Sequence, residues 1–121
     1  MIKSNDILSE KTMAFAVRIV KLYKCLSENR REFILSKQIM RSGTNPGAMV
    51  REAYNAESGA DFVHKFSIAQ KELGETRYWL ELLFATKYLS ETEFTSLDND
   101  AEELLKIISK SILTKKQHLQ K

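Results

Sequence analysis

Apolar residues recur along this chain at alternating steps of four and three, the spacing that collects them on one face of an α-helix. Leu8, Phe15, Ile19, Leu22 and Leu26 form a first seam, and Leu35, Ile39, Ser42, Pro46, Met49 and Ala53 a second. Phe62, Phe66, Ala69, Leu73, Thr76, Leu80 and Leu83 make a third, and Phe94, Leu97, Ala101, Leu104 and Ile108 a fourth. This alternation lets nearly aligned helices pack knobs into holes, about 20° from parallel. Helix starts are marked by a short polar side chain followed three positions later by an acid, a pair that satisfies amides the helix itself leaves open. Asn29 with Glu32, Ser58 with Asp61 and Ser90 with Glu93 fit that pattern, and a looser start lies at Ser4, Asn5 or Asp6. Only short connections fit between the helices, near 27–30, 56–59 and 88–90, and short links make consecutive helices antiparallel. The prediction is an all-α, up-down-up-down four-helix bundle.

One segment conflicts with its own pattern. In RSGTNPGAMVREA, Pro46 removes an amide and crowds the preceding turn, while Gly43 and Gly47 lower helix propensity. The second helix is therefore expected to kink near Pro46 or to restart there, with Asn45 as N-cap and Pro46 at the first helical position. The seams also leave a surplus: Val17, Val20, Tyr23, Ile34, Trp79, Leu82, Phe84, Leu105 and Ile112 lie outside them. A slender bundle cannot bury them all, so a homo-oligomer is expected, with Tyr23, Trp79, Leu82 and Phe84 as interface anchors.

Composition narrows the class without changing the fold. With 121 residues, residues 1–121 make one domain. At 43% hydrophobic and 29% charged the chain is too apolar for disorder, and Gly 4 with Pro 1 is too few turn residues for a sandwich or barrel. No apolar run approaches the roughly 18 residues of a membrane span, and MIKSNDILSE lacks the apolar centre of a signal peptide, so a cytoplasmic location is expected. The lone Cys25 falls within a helical pattern and reads as a small buried or half-buried thiol.

Charge is unevenly spread. Residues 1–51 hold ten Lys/Arg against four Asp/Glu, residues 52–105 four against twelve, and residues 106–121 five Lys and no acid. Arg30, Lys37 and Arg41 recur at steps of seven and four, which would put them on one face of the second helix; Lys11, Arg18 and Lys21 do much the same on the first. Merged on neighbouring helices, these rows could neutralise phosphates without reading sequence, and an oligomer would repeat the strip. Arg18, Lys21, Arg30, Lys37, Arg41 and Arg51 are the candidate nucleic-acid contacts. The alternative is a solvated face, with Glu72, Glu75 and Glu81 on the acidic side meeting a basic protein partner. The C-terminal lysines fit complementation of the helix dipole better than a ligand site.

Metal and catalytic chemistry find little support. Only Asp61-Phe62-Val63-His64 resembles half of a di-iron ligand pair, and His118 has Lys115 three residues before it. A metal enzyme centred on Asp61 and His64 stays as a contrast reading only. Phosphate-binding glycine loops, paired Cys ligands and nucleophile elbows are absent from the sequence, so neither enzyme activity nor a cofactor or metal is expected.

Residues 35–86 carry a resemblance. Their marks are Arg41, Ser42, Gly43, Thr44, Gly47, Ala48, Val50, Arg51, Glu52 and Ala53; the AESGADFVHKFSIAQKE stretch from Ala56 to Glu72; and YWLELL from Tyr78 to Leu83. The chain resembles the four-helix-bundle family of proteins encoded within intervening sequences of bacterial 23S ribosomal RNA genes. Its relatives include the accessory variability protein of diversity-generating retroelements. Pro46 and Met49 depart from the family's usual small aliphatic residue and Asn. The resemblance implies a closed antiparallel bundle assembled as a pentameric ring, without catalytic activity, that binds nucleic acid. For the retroelement members it also implies binding to a reverse transcriptase.

Overall fold

The structure, a computed structural model, describes residues 6–120. It is an all-α bundle of four helices, α1 (Ile7–Lys24), α2 (Leu35–Ala53), α3 (Gly59–Ala85) and α4 (Glu91–Leu119), with no strand among the described residues. Paired side chains step down one helix as they step up its neighbour. Gly43 and Gly47 of α2 meet Ile19 and Thr12 of α1, Ser42 and Glu52 of α2 meet Thr76 and Lys65 of α3, and Gln70 and Arg77 of α3 meet Ser109 and Asp98 of α4. Helix α1 approaches α4 less closely than the sequential helices approach each other.

Helix ends follow local chemistry. Asp6 caps α1 by accepting from the Ser9 amide at 3.1 Å; the other two candidate starts, Ser4 and Asn5, lie outside the described residues. Ser90 and Glu93 form the complete reciprocal box, at 3.1 and 2.8 Å. Ser58 accepts from the Asp61 amide at 3.0 Å, but the Asp61 carboxylate accepts from Glu57 N rather than from Ser58, so only half of that box forms. The Asn29 box does not form. The chain instead passes from α1 into a π-helical turn, Cys25–Asn29, and then through Arg31 at φ 54°. Glu32 takes over the capping role, accepting from the amides of Ile34, Leu35 and Ser36 at 3.1, 3.0 and 2.7 Å. The start of α2 therefore shifts toward the C-terminus. Cys25, expected to be at least half-buried, is exposed on the π turn.

The seams make the core. Phe15, Ile19, Leu26, Ile39, Phe66, Leu73, Leu80, Leu83, Leu104 and Ile108 are all nearly inaccessible. Ser42 and Thr76, polar members of two seams, are fully buried, and their hydroxyls lie 2.9 Å apart, with Thr76 Oγ1 also 2.8 Å from the Glu72 carbonyl. Each buried hydroxyl thus has a partner; removing Thr76 would strand Ser42, whereas Thr76 would keep the Glu72 carbonyl if Ser42 were removed. Two residues join the seams. Val50 is fully buried on α2 while Met49 packs, partly buried, against the core, and Ile112, read as surplus, belongs to the core. Helix α2 runs unbroken through Pro46, and the restart is not made: Asn45 directs its side chain to Glu72, at 3.5 Å, instead of capping a new helix. Ile39, Ser42, Val50 and Ala53, buried on both sides of Pro46, hold the two halves against the core and offset the missing amide.

Candidate nucleic-acid interface

Cations of α1 and α2 meet different neighbours. Arg18 donates to Asp100 of α4 at 2.6 Å and to the Ser96 hydroxyl at 2.9 Å, and Lys11 pairs with Glu103 at 3.2 Å. Arg41 turns the other way, donating to Glu72 of α3 at 2.6 Å and also to Glu75. The two rows therefore lie on opposite edges of the α1–α2 layer instead of merging into one strip. The opposing acids decide this, since Asp100 and Glu103 line α4 and Glu72 and Glu75 line α3. Arg41 keeps Glu72, itself 7% exposed, from standing as an uncompensated buried carboxylate.

Arg30 also departs from its expected place. It precedes α2 in the connection and lies over the Tyr88 ring, 4.8 Å from the centroid, with Nη1 donating to the Tyr88 carbonyl at 3.3 Å. It thereby ties the first connection to the third. The remaining candidates, Lys21, Lys37 and Arg51, are exposed and make no ion pair among the described residues. Lys37 and Arg51 are separated by nearly four turns of α2, so they share its outer face about 21 Å apart. Of six candidate contacts, three are free of ion pairs among the described residues and three are occupied inside the bundle.

The same pairing reshapes the acidic side. Glu75 is held below its ordinary range chiefly because it accepts from the Trp79 indole and from Arg41. Arg77 is held by Asp98, at 2.8 and 2.9 Å, with Glu102 nearby. Glu81 stays exposed. Glu72 and Glu75, two of the three acids read as a docking surface, are thus already engaged by Arg41.

The expected oligomer anchors are scattered over three sides. Tyr23 lies half-buried on α1. Trp79 lies over the α2–α3 seam, its indole nitrogen 2.9 Å from Glu75, and Leu82 is half-buried beyond it. Phe84 stacks on Phe94 of α4, at 4.9 Å. Exposed apolar surface is more continuous elsewhere. Met13 and Val17 are 48% and 45% exposed on the outer face of α1, beside half-buried Val20, and Phe33 and Ile34 stand out at 49% and 74% in the first connection. Met13 and Phe33 lie outside both the seams and the expected surplus, although Met13 stands one four-residue step before Val17. His64 is exposed and Asp61 engages the Glu57 amide; no group of three or more metal-ligating side chains occurs among the described residues. No helix is long and apolar enough to cross a membrane among the described residues.

Comparison with known proteins adds two findings. The family model for the 23S rRNA-intervening sequence protein matches residues 5–110. A crystal structure of a protein with unknown function from the S23 ribosomal protein family of Bacteroides thetaiotaomicron is 49% identical, with a TM-score of 0.87, covering 88% of this chain and 98% of that one. No curated protein matches.

Proposed function

Because the chain belongs to the 23S rRNA-intervening sequence protein family, we propose that it acts without catalysis, as a homo-oligomeric helical bundle that holds RNA or DNA weakly through backbone phosphates. The carrying observation is that Lys21, Lys37 and Arg51 are exposed and free of ion pairs among the described residues. Three point charges per chain give weak binding, and a ring, pentameric by resemblance, multiplies them. The exposed Met13, Val17 and Ile34 support self-association, since that much apolar surface on a small chain is best covered by another copy. Trp79 and Phe84, being engaged within the chain, contribute less.

Fluorescence anisotropy with a structured RNA tests the reading. Binding at about 50 mM salt should weaken steeply by about 200 mM. The combined change Lys21→Gln, Lys37→Gln and Arg51→Gln should lower the salt slope by about 0.7–0.9 per contact while leaving the helical spectrum intact. Absence of binding at the lower salt overturns it. A second reading, an adaptor for a basic protein such as a reverse transcriptase, draws on exposed Glu81, Glu91 and Glu93 and on the loss of Arg18 and Arg41 to internal pairs. Under that reading a basic partner binds the unmodified protein, and RNA does not.

A further inference from the structure

Where α3 begins and α4 ends, the two helices flank an open cleft of about 420 Å³. Phe62, in the first turn of α3, lines one wall; Lys110, Ser111, Thr114, Lys115 and His118, stepping along one side of α4, line the other. The volume falls within the usual range of small-ligand sites, about 300–1,000 Å³. No acid lines the cleft, and Lys110, Lys115 and His118 make no ion pair among the described residues. Lys115 Nζ lies 5.2 Å from the centre of the Phe62 ring, so a cation already covers an aromatic face here.

Helix-dipole complementation explains only part of this cluster. The attraction of a helix C-terminus for cations fades within the last turn. Lys116 and His118 lie in that turn, whereas Lys110 stands more than two turns before the end at Leu119. The start of α3, with the opposite dipole sign, lies alongside and offsets the field of α4, which leaves the side chains to set the local charge. Ser111 already donates to the Ile107 carbonyl at 2.9 Å, while the Thr114 hydroxyl donates to no group among the described residues and is free to do so. An aromatic wall, clustered cations and a free hydroxyl in one cleft suit a ligand with a flat ring and a phosphate.

We propose that this cleft binds a nucleoside monophosphate, as a free nucleotide or as the phosphorylated end of a strand, with its base on Phe62. Its phosphate lies among Lys110, Lys115 and His118, and Thr114 donates to it. Lys115 swings from the ring to the phosphate and so exposes the face on which the base stacks. None of these residues is Lys21, Lys37 or Arg51, so this site and the phosphate-neutralising face stand or fall separately.

The test is a nuclear magnetic resonance titration of the isotope-labelled full chain with AMP, adenosine and inorganic phosphate. AMP should shift the amides of Ser111, Thr114 and Lys115 with a dissociation constant of about 1 mM or tighter, and adenosine and phosphate should each bind about tenfold more weakly. Lys110→Glu with Lys115→Glu should weaken AMP at least about tenfold, a loss of about 1.4 kcal/mol. Lys110→Gln with Lys115→Gln checks this without adding negative charge near a helix C-terminus. The Lys21, Lys37 and Arg51 variant should bind AMP unchanged. Two RNA strands differing only in a terminal phosphate identify the source: preference for the phosphorylated strand assigns a strand end, and equal binding assigns the free nucleotide. The proposal is overturned if AMP at about 10 mM moves none of those amides, if both double variants retain full affinity, or if adenosine or phosphate alone binds as tightly as AMP.

Discussion

Gly43 and Gly74 both lie inside helices, yet alanine at each should move stability in opposite directions. Alanine in place of a helical glycine ordinarily stabilises by about 0.5–1 kcal/mol, because glycine loses more backbone freedom on folding. At Gly43 the new Cβ would stand 2.7 Å from Ile19 Cγ1, 3.0 Å from Cγ2 and 3.1 Å from Cδ1. Ile19 is fully buried and has no room to retreat. Overpacking of that kind costs about 1–3 kcal/mol, so Gly43→Ala should lose about 1 kcal/mol net. Gly74 is exposed, with nothing within 4 Å of a built Cβ, and Gly74→Ala should gain the full helix benefit, about 0.5–1 kcal/mol. Urea unfolding followed by circular dichroism, at matched protein concentration, reads both. A third measurement isolates the contact. Ile19→Ala alone should cost about 2–5 kcal/mol, and in that background Gly43→Ala should become stabilising because the methyl enters vacated space. Equal gains from Gly43→Ala and Gly74→Ala would refute the close approach of α1 and α2.

Glu32 should matter more than Asn29. Glu32→Ala strips the cap from three amides and should cost about 1 kcal/mol at neutral pH, whereas Asn29→Ala should be nearly silent. Burial raises the Glu32 carboxyl, but the amides of Leu35, Ser36 and Ile34 outweigh it and hold the group below its ordinary 4.5. Its contribution is therefore complete above that value and disappears as pH falls through the lower folded value, so wild type and Glu32→Ala should converge in urea midpoint on acidification. Arg41→Ala leaves Glu72 without its cation and should cost about 2 kcal/mol, part of which Glu72→Gln restores; RNA salt dependence should not follow it. Tyr54, pushed up to about 12 by partial burial and by the neighbouring Asp6, should ionise well above the ordinary 10.0 in an ultraviolet titration, a phase that Tyr54→Phe should remove. Alkaline stability should accordingly fall between 10.0 and about 12.

Much of the fold was legible because seam spacing is a property of one helix at a time. Ile39, Ala69, Leu80 and Ile108 needed only their own periodicity to be placed in the core, and Ser90 with Glu93 only its three-residue step. What failed depended on more than one element. Asn29 and Glu32 have the right spacing for a box, but the π turn keeps Asn29 on the preceding helix and passes the amides to Glu32. Pro46 weakens α2 locally, while burial on both sides of it holds the helix together. The candidate interface was the least legible part. Arg18, Lys21 and Arg41 look alike along the chain, and only the acids facing each of them decide that one stays free and two are bound. The α3–α4 cleft joins residues almost fifty positions apart, and no local pattern announces it.

The π turn ends the first helix with its thiol facing solvent, and the protein has no second cysteine. Every copy in the proposed assembly therefore offers one and the same attachment point. A fluorophore coupled at Cys25 through a maleimide would report subunit number as discrete bleaching steps in single particles. Paired spin labels there would give the span between neighbouring copies.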